Sequence, residues 1–172
     1  MNNTGFIARI RNGRGGIAGF AVLVGLPLVV GGTSALLTAD AMAQFGRLAQ
    51  PPLSPPAWLY PVAWTVLYVL MGLASYRLFV ATPADVNAAR VRRLALVAYG
   101  VQLVLNFLWS LVFFGAGLYW VAFVVLLAMW ALIIAIVVLS RKVDPVVCGL
   151  MVPYLAWTTF AAYLNIGVAV LN

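Results

Sequence analysis

The chain has 172 residues, of which 66% are hydrophobic and 8% are charged. A soluble domain is about half apolar and a quarter charged, so a water-soluble fold of this length could not bury its apolar surface, and lipid must cover the rest. The net charge of +7 does not indicate a nucleic-acid partner, because the basic residues lie in short segments between apolar runs, where topology and anionic lipid headgroups explain them.

Five apolar runs follow one another along the chain, and each can cross about 30 Å of hydrocarbon as a helix. The sequence therefore predicts an all-α integral membrane protein, a five-transmembrane-helix bundle over residues 17–171, after a basic amino tail of residues 1–16. The predicted spans cover about residues 17–38, 58–80, 94–114, 118–139 and 146–170. The length of the first run favours a membrane span over a cleaved signal peptide.

The connections between the spans also have sequence signals. The segment 40–56 is rich in proline and polar residues and is predicted to be a loop, and the segment 82–93 is predicted to be a short basic connection. Gly115-Ala116-Gly117 divides an uncharged stretch that is too long for one helix. Pro27 and Pro153 are expected to kink the first and fifth spans.

The basic residues predict the orientation in the membrane. Five spans place nine of the ten basic residues on the side of the amino terminus and only Arg47 on the other side. Because basic loops remain in the cytoplasm, we expect a multi-pass protein of the bacterial inner (cytoplasmic) membrane with a cytoplasmic amino terminus. The nine residues are Arg9, Arg11, Arg14, Arg77, Arg90, Arg92, Arg93, Arg141 and Lys142.

The chain contains no histidine and one cysteine, Cys148, and this composition excludes several kinds of site. No disulfide can form within the chain, and neither a Cys/His zinc site nor a Ser-His-Asp or Cys-His catalytic group can be built. We therefore expect no metal site and none of these catalytic groups, and we interpret Cys148 as a small core residue.

Polar and aromatic residues recur at helical spacing on three of the spans. An amide in hydrocarbon needs a partner, so these faces should point into the bundle. Indole and phenol rings beside small or amide groups indicate a cavity for a large, flat, apolar ligand. The faces are Trp64, Tyr68 and Gly72; Gln102, Asn106, Trp109 and Phe113; and Pro153, Trp157, Ala161 and Asn165.

Periodicity alone does not separate such a cavity from plain helix packing. Trp58, Tyr60, Tyr119 and Trp120 lie near span ends and are interpreted as interfacial belt residues. Trp130 lies in the middle of a span, where it can face lipid or a partner subunit.

Three motifs resemble the tryptophan-rich sensory protein family (TspO/MBR), whose animal members are called translocator protein or peripheral-type benzodiazepine receptor. They occur in the family's order from about residue 20 to the carboxyl end. The motifs are Pro55-Pro56-Ala57-Trp58-Leu59-Tyr60-Pro61-Val62-Ala63-Trp64-Thr65-Val66-Leu67-Tyr68, then Gln102-Leu103-Val104-Leu105-Asn106-Phe107-Leu108-Trp109-Ser110, and Pro153-Tyr154-Leu155-Ala156-Trp157.

The resemblance implies a five-helix bundle, often a homodimer, that binds porphyrins such as protoporphyrin IX or haem and other flat hydrophobic molecules. It implies a pocket between the helices, under the first long loop. Carried over by motif, the ligand-binding residues would be Trp64, Thr65, Tyr68, Asn106, Trp109, Phe113, Trp157 and Ala161. Trp64 and Trp157 match tryptophans that the family links to light-dependent breakdown of protoporphyrin.

Three segments depart from the family pattern. The family loop usually has a Trp-Tyr pair and a Lys-Pro, where this chain has Gln44-Phe45 and Gln50-Pro51. Residues 164–172 contain no basic residue, so the sterol-recognition pattern of animal members is not met. The basic amino extension is longer than in typical bacterial members.

Three functions agree with these observations. The first is a receptor or carrier that binds tetrapyrroles in the membrane, where Asn106 or Thr65 would orient polar edges and no histidine would ligate iron. The second is a light-dependent porphyrin-degrading enzyme that uses Trp64 and Trp157. The third is a structural or assembly subunit of a larger pigment-protein or respiratory membrane complex.

Overall fold

The computed structural model describes residues 15–172, except for the side chains of residues 43 and 44. The described chain is helical, without strands, and five of its helices are long and apolar enough to cross a membrane. The prediction of an all-α, five-helix membrane protein is therefore confirmed. The helices are α1 (Gly16–Leu37), α2 (Ala39–Phe45), α3 (Leu59–Val80), α4 (Val86–Ser110, continued as a π-helix over Leu111–Gly115), α5 (Tyr119–Ser140) and α6 (Pro145–Leu171).

Two connections differ from the sequence prediction. The short helix α2 forms at the start of the segment that was expected to be a loop throughout. The predicted basic connection ends early, because α4 begins at Val86, where the Asp85 carboxylate accepts a hydrogen bond of 2.7 Å from the Ala88 N–H and caps the helix. Arg9, Arg11 and Arg14 lie outside the described residues.

Other predicted features lie where the sequence placed them. The turn between the third and fourth spans lies at Gly117, whose φ of 65° is a left-handed conformation that glycine adopts without strain. Pro27 and Pro153 lie within α1 and α6, which both continue past the proline.

The helices pack around a core of fully buried side chains such as Met71, Met129, Ile133 and Met151. The first helix, α1, packs mainly on α3, where Gly72 lets the two backbones approach closely. A Cβ at Gly72 would lie 2.6 Å from the Val24 Cα. Many valines and leucines on the outer surface are exposed, as expected for helices surrounded by lipid.

A buried ion pair joins α3 to α6 at the basic end of the bundle. Arg77 and Asp144 are both buried, and the Arg77 Nη2 and the Asp144 Oδ2 are 2.8 Å apart. The Asp144 Oδ1 also accepts a hydrogen bond of 3.1 Å from the Val146 N–H and caps α6. One carboxylate therefore both starts α6 and ties it to the end of α3.

Candidate functional site

An apolar cavity of about 130 Å³ lies between α1, α3, α4 and α6, and α2 covers it at the end of the bundle opposite the ion pair. Most of its lining is aromatic or aliphatic. The lining residues are Gly31, Ser34, Ala35, Met42, Phe45, Tyr60, Pro61, Trp64, Tyr68, Asn106, Trp109, Ser110, Phe113, Phe114, Trp157, Ala161, Leu164 and Asn165.

Aromatic rings from α3 and α4 form a continuous stack along one side of the cavity. The ring of Trp64 stacks on Tyr68 at a centroid distance of 5.4 Å and lies 6.1 Å from Trp109. Trp109 in turn stacks on Phe113 at 5.3 Å. These offset and tilted arrangements are the ones that aromatic pairs prefer. Trp157 of α6 lines the same cavity.

Local backbone features create the space for these rings. Gly31 of α1 lies against Tyr68, and a Cβ at this glycine would overlap the tyrosine ring. In the π-helical segment of α4, the Ala116 N–H donates a hydrogen bond to the Leu111 carbonyl at 2.9 Å, which adds one residue to the turn. Phe113 and Phe114 both line the cavity as a result.

A chain of hydrogen bonds links the two amides beneath the stack, although the buried Nε2 of Gln102 has no partner within the described residues. The Tyr68 hydroxyl donates to the Asn106 Oδ1 at 2.8 Å, and the Asn106 Nδ2 donates to the Tyr154 hydroxyl at 3.1 Å. The Tyr154 hydroxyl donates to the Gln102 Oε1 at 2.9 Å. These hydrogen bonds join α3, α4 and α6 and hold the Asn106 side chain at the edge of the cavity. Pairing of this kind is needed because an unpaired polar group is costly in surroundings of low polarity.

The indole of Trp109 is fixed from the opposite side. Its Nε1 donates a hydrogen bond of 3.2 Å to the Asn165 Oδ1, and the Asn165 Nδ2 donates to the Tyr119 carbonyl at 2.8 Å. Asn165 is buried, so it orients Trp109 from within the protein. The sequence placed Asn165 on an inward face but not among the ligand-binding residues.

Seven of the eight predicted site residues line this cavity, and Thr65 does not. Because Trp64 points inward, its neighbour on the helix turns outward, and Thr65 is exposed. Its hydroxyl donates to the Pro61 carbonyl at 2.7 Å within α3. The expectation that Thr65 orients a ligand therefore conflicts with its position.

Two tyrosines interpreted as belt residues are partly buried and lie close to other aromatic rings. Tyr60 lines the cavity, with its ring 6.3 Å from that of Trp157. Tyr119 is half-buried against Phe113 at 5.2 Å. Trp58 and Trp120 are 65% and 57% exposed, in agreement with the belt interpretation.

Sequence reasoning missed the contribution of α1 and α2, which supply five lining residues: Gly31, Ser34, Ala35, Met42 and Phe45. The first run has no aromatic or amide stripe, so only its glycine-rich stretch could have signalled a close approach.

The altered first loop is fixed to the end of α6. The Asn172 side chain accepts from the Ala49 N–H and donates to the Ala49 carbonyl, each at 3.0 Å. Pro51 contacts α6 at Gly167, where a Cβ would overlap the Pro51 ring. These contacts hold α2 over the cavity although the usual family residues are replaced.

The fold and cavity together define a class, a multi-pass membrane protein whose helices enclose an aromatic hollow at one end of the bundle. Within that class, the chain belongs to the TspO/MBR family, whose model matches residues 23–171. This match confirms the resemblance inferred from the three motifs.

Curated relatives cover almost the whole chain. The tryptophan-rich protein TspO of Chlorobaculum tepidum is 33% identical, over 88% of this chain and 94% of its own length. Protein CrtK of Rhodobacter capsulatus is 36% identical, over 89% of this chain and 92% of its own. The translocator protein of Homo sapiens is 33% identical, over 86% of this chain and 84% of its own.

Proposed function

We propose that this protein is a membrane receptor or carrier that binds porphyrins and similar flat hydrophobic molecules. The observation that carries the proposal is the convergence of Trp64, Trp109 and Trp157 from three helices on one apolar cavity. Related proteins named tryptophan-rich sensory protein or translocator protein agree with a sensory or carrier role.

The lining supplies the contacts that a tetrapyrrole needs. Its indole and phenol faces provide dispersion and stacking contacts with a conjugated ring. Asn106 has one amide hydrogen and one carbonyl lone pair beyond the two hydrogen bonds described above, so it can pair with a polar group of the ligand. Because the chain contains no histidine, the usual axial ligand of haem iron is absent.

The cavity must widen to admit a macrocycle. A volume of about 130 Å³ resembles an engineered cavity of roughly 150 Å³ that holds one benzene, whereas sites for drug-sized ligands measure about 300–1,000 Å³. The covering helix α2 is short and contributes Met42 and Phe45 to the lining. We infer that α2 is the element that moves when ligand enters.

Quenching of tryptophan fluorescence by protoporphyrin IX tests the proposal. Titrations should compare the wild type with Trp64→Phe, Trp109→Phe and Trp157→Phe, with Trp58→Phe as the matched control. Trp58 is exposed and does not line the cavity, so its removal should leave the affinity unchanged. The three cavity variants should each bind about two- to tenfold more weakly, because the smaller phenyl ring loses part of an aromatic contact worth about 0.5–1.5 kcal/mol.

Haem distinguishes stacking from metal ligation. If stacking and burial provide the affinity, haem and metal-free protoporphyrin should bind within a few-fold of each other. A preference for haem by a factor of about 100, which corresponds to roughly 2.8 kcal/mol, would contradict the proposed binding mode. Equal affinity of wild type and all three cavity variants would exclude the site itself.

Light-dependent breakdown of porphyrin is the second candidate, because Trp64 and Trp157 both line the cavity and would both contact a bound ring. Their indoles would then act as electron donors or radical partners. Illuminated wild type with protoporphyrin should give one defined product, and Trp157→Phe should abolish it. Equal bleaching by the two proteins would exclude the enzyme.

We also propose that the protein resides in the bacterial cytoplasmic membrane with its amino terminus inside. Six of the seven basic residues in the described chain lie at the ion-pair end of the bundle, which supports this orientation. Alkaline phosphatase fused after Asn172 should be active, and the same fusion after Lys142 should be inactive. That the protein forms a homodimer, or is a subunit of a larger membrane complex, remains a prediction from the sequence.

A further inference from the structure

A second cavity of about 330 Å³ lies beside the first one, between α2 and the turn that joins α4 to α5. We call it the vestibule. Its lining includes the residues of the turn at 115–117 and Tyr119 and is more polar than that of the first cavity, which is lined mostly by apolar side chains. The vestibule is therefore suited to the polar part of an amphipathic molecule.

The vestibule and the first cavity share three aromatic side chains. Phe45, Phe113 and Phe114 line both spaces. The ring of Phe45, on the covering helix, lies 5.6 Å from that of Phe113 and 5.3 Å from that of Phe114. An outward movement of Phe45 would join the two spaces into one, which reaches the size range of ligand sites.

Two groups near the vestibule suit an anion. The hydroxyl of Tyr119, which lines the vestibule, has no hydrogen-bond partner among the side chains and backbone that the structure describes. Arg47 lies between the lining residues Phe45 and Leu48, in a turn closed by a hydrogen bond of 3.1 Å from the Leu48 N–H to the Phe45 carbonyl.

The charge of Arg47 is available to a ligand. Its side chain is exposed and forms no ion pair within the described chain. It is also the single basic residue at this end of the bundle in that part of the chain. Asp40, the acidic residue of α2, lies in the first turn of the helix, seven residues before Arg47, and the two form no ion pair. A ligand carboxylate at the vestibule would lie beside the turn that carries Arg47, whose guanidinium has no ion-pair partner within the described chain.

We propose that the vestibule is a subsite for the carboxylate edge of the ligand, whose flat ring occupies the aromatic cavity. This inference rests on the proposed function, and it adds Arg47 and Tyr119 as residues that select anionic over neutral ligands. Phe45 separates the two subsites until the ligand spans them. This arrangement also explains how a ligand much larger than the first cavity can bind, because the ligand would occupy both spaces.

The test compares protoporphyrin IX, which carries two carboxylates, with its neutral dimethyl ester. Tryptophan quenching gives an affinity for each ligand in detergent, and partition into micelles is the same for every protein variant. The affinity for the acid divided by the affinity for the ester gives a ratio for each variant. This ratio should fall about tenfold in Arg47→Gln, as expected for the loss of a charge-assisted contact. Affinity for the ester should not change.

The matched control is Arg90→Gln, which removes an equally exposed charge at the opposite end of the bundle. Its affinity ratio should equal that of the wild type. Tyr119→Phe should lower the ratio by a few-fold, because it removes one neutral donor. An unchanged ratio in Arg47→Gln, or an equal loss for acid and ester in that variant, would overturn the subsite, and an unchanged ratio in Tyr119→Phe would remove Tyr119 from it.

The outcome also separates the two proposals. If the wild type binds both ligands and Arg47→Gln keeps their ratio, the subsite fails and the aromatic cavity stands. If neither ligand quenches the wild type, porphyrin binding fails, and the subsite fails with it.

Discussion

The packing of α1 on α3 gives a sharp prediction for Gly72→Ala. The new Cβ would lie 2.6 Å from the Val24 Cα and 2.9 Å from the Val24 carbonyl oxygen, whereas ordinary contact begins at 3.4 Å. Both obstacles are backbone atoms, so no side-chain rotation relieves the overlap and the helices must separate. Overpacking of this kind costs about 1–3 kcal/mol.

The helix itself favours the substitution, and the two effects must be weighed. Alanine is more favourable than glycine in a helix interior by about 1 kcal/mol. The net effect of Gly72→Ala is therefore a destabilisation of up to roughly 2 kcal/mol, or about 4–8 °C in the midpoint of thermal unfolding. A shift of α1 would also move Gly31 and Ser34, which line the cavity, so porphyrin affinity should fall as well.

Thermal unfolding in detergent, followed by circular dichroism, measures the effect. Gly100→Ala is the matched control, because the same substitution within α4 meets no atom within 4 Å. This control should be as stable as the wild type or slightly more stable. If Gly72→Ala unfolds at the same temperature as Gly100→Ala, the close approach of α1 and α3 does not exist as described.

Three further predictions concern hydrogen bonds and charge. Asp144→Asn should destabilise the protein by about 3–5 kcal/mol, since it removes the carboxylate that pairs with the buried Arg77 charge. Arg77→Met in the same chain should restore part of the loss in the unfolding midpoint, and a midpoint that changes in neither variant would refute the pairing. Asn165→Leu should release the indole N–H of Trp109 and weaken protoporphyrin binding several-fold in a quenching titration. Tyr68→Phe should lower the free energy of unfolding by about 0.5–1.5 kcal/mol; an unchanged value would show that its hydroxyl bond contributes nothing.

The inward faces of three helices were predictable because polar and aromatic residues in hydrocarbon must point at partners. Gln102, Asn106, Trp109 and Phe113 follow helical spacing, and all four are buried. Thr65 was selected by motif resemblance and not by this spacing argument, and helix geometry turns its side chain outward.

The roles of other residues could not be predicted from the sequence pattern of a single helix. Tyr60 lies near a span end, where tyrosine is common at the membrane surface, yet from the first turn of α3 it lines the cavity. Tyr154 was part of a motif without an assigned role, and it is fully buried and bonds to two amides of α4. These roles depend on which helices are neighbours.

The amino-acid sequence by itself determined the membrane environment, the five spans, the charge asymmetry and the family, since each follows from local composition, spacing or motif order. Only the tertiary structure decided that α1 and α2 complete the cavity, that Phe45 separates it from the vestibule, and that Asp144 pairs with Arg77. Each of these depends on contacts between residues far apart in the chain, which the periodicity of one helix does not encode.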